Sequence, residues 1–184
     1  MSWLRVTWTE AGQILALCDE AAAPDTALAG VEPKAYFDRL VTAGEYDRAI
    51  AFVGSALPRR EAVQWSAEAL ARAARSVEEA KRVGRHELLQ AVQTWLADPS
   101  EERRRAAWAA ASRNEQSSPE KLLACAVYFS GGSIAPEDCE PVQPASHVCG
   151  RLAATAILAS AYQSENADQY LRVAVAEGDR FAST

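Results

Sequence analysis

The residue types able to do chemistry in this chain are few and scattered. Cys139, His147 and Cys149 fall within eleven residues of one another. Thiolate and imidazole are zinc ligands, and a fourth could come from Cys125. The spacing matches no standard zinc signature, because no two of the four cysteines (Cys18, Cys125, Cys139, Cys149) stand in CxxC. A cysteine and one of the two histidines, His86 or His147, could also meet as nucleophile and base. Yet nothing around any cysteine resembles a nucleophile motif, and no Gly-x-Ser-x-Gly occurs. Gly131-Gly132-Ser133 lacks the Gly-Lys-Ser/Thr ending of a phosphate-binding loop. The acid pairs Glu78-Glu79 and Glu101-Glu102 are adjacent and so do not share a helix face. Glu78 to Arg82 and Glu101 to Arg105 have the i, i+4 spacing of ordinary helix ion pairs. The expectation is no catalytic residue, no metal and no cofactor. The alternative is a small Cys/His-dependent hydrolase or metal-binding enzyme.

Binding chemistry has a better candidate in Pro58-Arg59-Arg60-Glu61 followed by Trp65. Proline suits the first turn of a helix. Glu61 and Trp65 then share a face, as do Arg60 and Gln64. Arginine and tryptophan are favoured at protein-binding hot spots, and arginine can stack on an indole. The competing reading is a capped helix with Trp65 in the core and its arginines bridging to nearby acids. Arg103-Arg104-Arg105 is the one local argument for nucleic acid. Three consecutive arginines fan around a helix, two acids precede them, and a solvated helix face explains them better. The formal net charge of −6 likewise argues against nucleic acid and anionic membranes as partners. Charge is uneven: residues 1–57 carry 4 basic and 8 acidic side chains, 58–114 carry 11 and 8, and 115–184 carry 4 and 9.

These residues must be positioned by helices. Alanine supplies 39 of the 184 residues, and it is the best helix former and a poor strand former. The fold class is therefore all-α: a single globular bundle of about seven to eight helices, built from antiparallel helical hairpins. One domain, 1–184, is expected. Within it lie an N-terminal arm and short helix (1–32), helical hairpins (33–129), a Gly/Pro-rich loop (130–146) and C-terminal helices (147–184). Trp3 and Trp8 anchor the arm, whose helix lies near 11–22. Pro33 opens a helix that Gly44 closes, and a second runs over 45–56. Pro58 opens the longest, to about Ser76, and the next spans 77–97 with Leu88, Leu89, Val92, Trp95 and Leu96 as its apolar stripe. Asp98-Pro99-Ser100 stops one helix and caps the next, 101–113. Ser118-Pro119-Glu120 reads as N-cap, N1 proline and first-turn acid. Gly131-Gly132 and Pro136, Pro141 and Pro144 keep 130–146 irregular, and such connections in small domains are often functional. Helices over 147–163 and 167–177 follow, the last fraying into 181–184.

No secretory leader is expected, since the apolar run Ile14–Cys18 is short and has no basic flank. No stretch is long enough to cross a bilayer. A cytoplasmic protein with reduced thiols follows.

Two phrases carry a family resemblance. Ala-Leu-Pro-Arg-Arg-Glu-Ala-Val-x-Trp at 56–65 and Tyr-Phe-Ser-Gly-Gly-Ser-Ile-Ala-Pro at 128–136 resemble an uncharacterised bacterial helical family, a domain of unknown function, over roughly 33–176. The resemblance implies genes lying among those for type VI secretion spike proteins and effector-loading factors. In this chain Glu137, Asp138, Cys139 and Glu140 stand where that family would carry further prolines. The resulting expectation is a non-enzymatic adaptor or chaperone that binds another protein, a secretion spike protein or effector. Its surface would combine Arg59, Arg60, Glu61 and Trp65 with Gly131, Gly132 and Pro136. An immunity protein is a second alternative. The Ala-rich last two helices offer a homodimer surface.

Overall fold

The computed structural model describes residues 3–18, 28–73, 79–136 and 138–184, the side chains of 79–83 excepted. Its described residues form helices only: α1 (Ala11–Cys18), α2 (Pro33–Ala43), α3 (Tyr46–Ala56), α4 (Arg59–Ala73), α5 (Glu79–Ala97), α6 (Glu101–Arg113), α7 (Pro119–Tyr128), α8 (Val148–Ala161) and α9 (Ala167–Ser183). This is the all-α bundle expected, with nine helices rather than seven or eight. The arm's α1 packs as a full member of the bundle, with Ala11 and Ile14 wholly buried. The expected junction near Ser76–Val77 and the end of the arm helix beyond Cys18 lie outside the described residues.

Local chemistry explains most boundaries. Gly44 closes α2 in the left-handed region (φ 75°), with its N–H on the Leu40 and Val41 carbonyls. Ser100 and Ser118 cap α6 and α7, their hydroxyls accepting from the amides of Arg103 and Lys121. Pro33 and Pro119 occupy first-turn positions.

Helix α8 lies at the centre, packed on α3, α4 and α7. Small residues make this possible. A methyl group on Gly150 would collide with the Gly54 carbonyl oxygen, and one on Gly54 would lie 2.8 Å from the Ala154 Cβ. The backbones of α3 and α8 therefore touch. Ala153, Ala154, Ala156 and Ile157 complete the buried face of α8.

Helix α9 runs to Ser183 and does not stop near Glu177. Gly178 does not end it. A methyl there would lie 2.9 Å from Val53 Cγ1 and 3.0 Å from the Trp65 ring, so this glycine admits Trp65 to the core. The last turn is also anchored by the arm. Trp3 Nε1 donates to Asp179 (2.7 Å), and the Arg5 amide donates to the Ala182 carbonyl (3.0 Å). The Trp3 ring packs on Phe37 and Phe52.

Trp65 is thus a core residue. It is 0% exposed, and its indole N–H donates to the Ala174 carbonyl of α9 at 2.9 Å. Its expected place on a binding surface is corrected here: spacing put it beside Glu61 on one face, and tertiary packing put that part of the face against α9. Trp65→Ala is expected to destabilise the fold by about 3–5 kcal/mol. Trp65→Phe should cost less, losing mainly the hydrogen bond. Urea denaturation followed by circular dichroism measures both. A Trp65→Ala variant of native stability would contradict this placement.

Candidate functional site

An α-helix leaves its last four carbonyls without intrahelical donors. In this chain arginines meet that need at two helix ends. At the end of α5, Arg60 Nη2 donates to the Leu96 carbonyl (3.0 Å), and Arg103 Nη1 donates to the Thr94 carbonyl (3.1 Å). At the end of α7 the arrangement is denser and extends into the irregular segment that follows. Arg104 donates from Nη1 to the Tyr128 carbonyl and from Nη2 to the Ser133 carbonyl (2.7 Å). Arg59 Nη1 donates to the Ser130 carbonyl (2.9 Å), and Arg105 Nη2 reaches the Ala135 carbonyl (3.4 Å).

Arg104 is the hub. Only 3% of it is exposed, so its charge needs compensation. Glu101, one turn earlier on α6, supplies it bidentately, with Nε to Oε2 and Nη2 to Oε1 both at 2.7 Å. Arg105 Nε shares the same carboxylate at 2.7 Å. The Glu101 carboxyl is held down to about 2, chiefly by the hydrogen bond from Arg104. The Arg104 guanidinium also lies over the Tyr128 ring, 4.6 Å from its centroid. Gly132 makes the approach possible. Its φ is 63°, and a methyl group there would lie 2.6 Å from Glu101 Oε2 and 2.9 Å from Arg104 Nε.

Further hydrogen bonds tie the clasped segment to itself and to Tyr128. Tyr128 Oη donates to the Ile134 carbonyl (2.9 Å), and the Ile134 amide donates to the Val142 carbonyl (2.8 Å). The Val142 amide donates to Ser133 Oγ (3.1 Å). Pro144 is buried, whereas Pro136 and Pro141 are exposed. Val142 is 51% exposed, and Trp108, stacked on Tyr128 at 4.6 Å, is 39% exposed. Trp108, Tyr128, Ile134 and Val142 thus form one continuous chain of contacts, apolar at both ends and open to solvent.

The sequence-derived candidates fall into three groups. Arg59, half-buried, links α4 to the loop, so the two motifs do meet in space. Arg60 and Glu61 serve internal contacts, Glu61 with Arg5 of the arm at 3.3 Å. Gly131 meets no such steric demand, Gly132 is structural, and Pro136 is exposed at the loop surface. Sequence reading missed Glu101, Arg104, Arg105 and Trp108. The Glu101–Arg105 spacing showed an ion pair, but the loop it would hold lies some thirty residues downstream.

The thiols lie apart. Cys149 is wholly buried, its Sγ 3.8 Å from the Arg59 carbonyl, and burial pushes its pKa up to about 12. Such a thiol is a poor nucleophile. Burial raises Cys125 as well, while Cys139 is exposed beside Asp138. His147 stands at the N-cap of α8 without capping it. Among the described residues no three His, Cys, Asp or Glu side chains converge as metal ligands. None of the described helices is long and apolar enough to cross a membrane.

A protein-family model, described as a family of unknown function (DUF6931), matches residues 36–182. The chain belongs to this family. The match covers α3 to α8 in full, including every member of the arginine clasp, and leaves α1 outside. No curated protein and no solved structure matches the chain.

Removing the clasp has two measurable consequences. Arg104→Met strands the Tyr128 carbonyl and leaves Ser133 only the long contact from Arg105, and is expected to cost about 2–4 kcal/mol in chemical denaturation. Arg104→Lys should recover only part of this, because an ammonium cannot reproduce the planar fork. Glu101 gives an acid signature. Its folded pKa lies below its unfolded value, so its contribution is present above about pH 4.5 and is lost as pH falls through about 2. Thermal melts of wild type and Glu101→Gln should differ at neutral pH and converge near pH 2. A constant difference across that window would contradict the arrangement. The half-exposed carboxylate keeps the effect modest.

Proposed function

We propose that the protein is a non-enzymatic adaptor or chaperone that binds another protein through the clasped loop and Trp108. One observation carries this reading. The long irregular segment after α7 is held by charged donors on its backbone carbonyls, while Pro136, Pro141 and Val142 are exposed and a partly exposed Trp108 stacks on Tyr128, whose hydroxyl binds the same segment at Ile134. A loop fixed before binding loses little conformational entropy on docking, and tryptophan is the residue type most enriched at binding hot spots. The buried, high-pKa Cys149 lends no support to thiol catalysis.

The sequence resemblance points to a type VI secretion spike protein or effector as the partner. A cytoplasmic location with reduced thiols accords with that role. The test is purification of a tagged copy from its native host, followed by mass spectrometry. Wild type should bring down a spike protein or effector. Trp108→Ala/Val142→Asp should lose it by about tenfold or more while keeping the folded circular dichroism signal at the assay temperature, its melting temperature lowered by the lost stacking on Tyr128. Equal recovery by the variant would refute the proposed surface.

A further inference from the structure

The N-terminal arm lies in a groove with the anatomy of a peptide site. Trp3 fills it. The side chain is 7% exposed, and its ring packs on Phe37 of α2 (5.1 Å) and Phe52 of α3 (6.1 Å). Its indole N–H donates to Asp179 of α9 at 2.7 Å. Two residues on, Arg5 donates its amide to the Ala182 carbonyl (3.0 Å) and its guanidinium to Glu61 of α4 (3.3 Å). Leu4, between them, is 78% exposed. The groove thus offers an aromatic socket, an acceptor for the indole N–H, an acceptor for a main-chain amide and an acid for a cation. Together these read a Trp-x-Arg segment, main chain for affinity and side chains for identity.

The receiving side does not depend on the arm for its polar groups. Asp179 has Lys34 within 3.5 Å. Ala182 lies in the last turn of α9, where carbonyls have no intrahelical donor and water can serve them. Glu61 is partly exposed. Helix α1 is closed without Trp3 and Arg5, because the amides of Thr9 and Glu10 donate to Gln13 Oε1 (3.0 and 3.1 Å) and the Ala11 amide donates to the Val31 carbonyl (2.8 Å). Val6 and Trp8, half-buried against the core, hold the arm to the bundle beyond Arg5. Phe37, Phe52, Glu61, Asp179 and Ala182 all fall within the family match at 36–182, whereas Trp3 and Arg5 fall outside it. The groove belongs to the shared domain and its occupant does not.

We propose that this groove docks a Trp-x-Arg segment of a partner protein, and that Trp3 to Arg5 occupy it in cis until such a segment displaces them. The arm is then an autoinhibitory ligand. The proposal uses none of the clasp residues and stands apart from the Trp108 surface. A tethered occupant acts at a local concentration on the order of millimolar. A seated arm therefore implies a free-peptide dissociation constant near or below that range. An incoming segment binds with its intrinsic affinity reduced by the fraction of chains whose groove is open.

The test uses an acetylated peptide of residues 3–7 with fluorescein at its C-terminal end, read by fluorescence anisotropy against the full chain. One twin peptide has alanine for Trp3 and another has glutamate for Arg5. The Trp3→Ala chain, with its socket vacated, should bind the arm peptide at least about tenfold more tightly than wild type. Its melting temperature should fall while its circular dichroism remains that of the folded protein. The alanine twin should bind it at least about tenfold more weakly than the arm peptide, and the glutamate twin about threefold more weakly. Adding Asp179→Ala to the Trp3→Ala chain should weaken binding of the arm peptide by about fivefold.

The proposal is overturned if the folded Trp3→Ala chain binds the arm peptide no better than wild type, if either twin binds as well as the arm peptide, or if Asp179→Ala changes nothing. Should Trp3→Ala fail to fold, Arg5→Glu decides. This exposed change sets an acid against Glu61 and loosens the arm, so the chain should bind the arm peptide about threefold more tightly than wild type. Unchanged binding by that variant overturns the proposal.

Discussion

The architecture turns on how this chain satisfies carbonyls that its helices leave unpaired. Helix α7 ends at Tyr128, and the described residues after it form no regular structure before α8. Its backbone oxygens at 128, 130, 133 and 135 would need water or a donor. They receive guanidinium groups from Arg59, Arg104 and Arg105. Arginine suits the task because its fork can serve several acceptors at once and stays charged. Cations near a helix C-terminus also gain from the dipole. A buried guanidinium would be costly alone, so Glu101 must sit beside it. Glu101 is itself favoured where it lies, in the first turn of a helix capped by Ser100. One acid thus serves the start of α6, the charge of Arg104 and, through Arg104, the end of α7.

Small residues govern the rest of the bundle. Backbone contact between Gly54 and Gly150 brings α3 and α8 together, and Gly178 opens room for Trp65. Such contacts leave little slack. The indole hydrogen bond to Ala174 forms only if α4 and α9 keep that spacing. Helix α4 then has a fixed pose, and Arg59 at its first turn reaches Ser130. The Ala-rich core and the arginine clasp are therefore coupled through one helix, with Trp65 at its middle and Arg59 at its start.

Sequence reading went far on features set by neighbours along the chain. The caps at Ser100 and Ser118, the first-turn prolines and the αL glycine at Gly44 each follow from local backbone chemistry. It failed where a residue's role is set by a distant segment. The last helix is expected to stop at about 177, yet it continues through Gly178, which is a packing contact with Trp65. Glu61 and Trp65 share spacing but not environment, one meeting Arg5 and the other lying in the core. Arg103-Arg104-Arg105 looks like a solvated run because helical spacing says nothing about a loop folding back. In space the three point to different duties: Arg103 to the end of α5, Arg104 and Arg105 to the loop after α7.

The division of labour at the loop bears on what it is for. A connection held by its own apolar side chains would turn them inward and have little left to show. Here charged donors grip the backbone, with Pro144 and Tyr128 as the buried apolar contacts on the inner side. The side chains of Val142, Pro136 and Pro141 are thereby released from structural duty and face solvent. Fixing the backbone by hydrogen bonds and exposing the side chains is the way a scaffold presents a recognition element. The same logic accounts for Trp108. Its ring is anchored on Tyr128, which is itself tied to Ile134 and covered by Arg104, so its exposed edge belongs to the same rigid unit. On the proposed protein-binding reading, loop and tryptophan would present together, held by the guanidinium groups of Arg59, Arg104 and Arg105 with buried Arg104 at their centre.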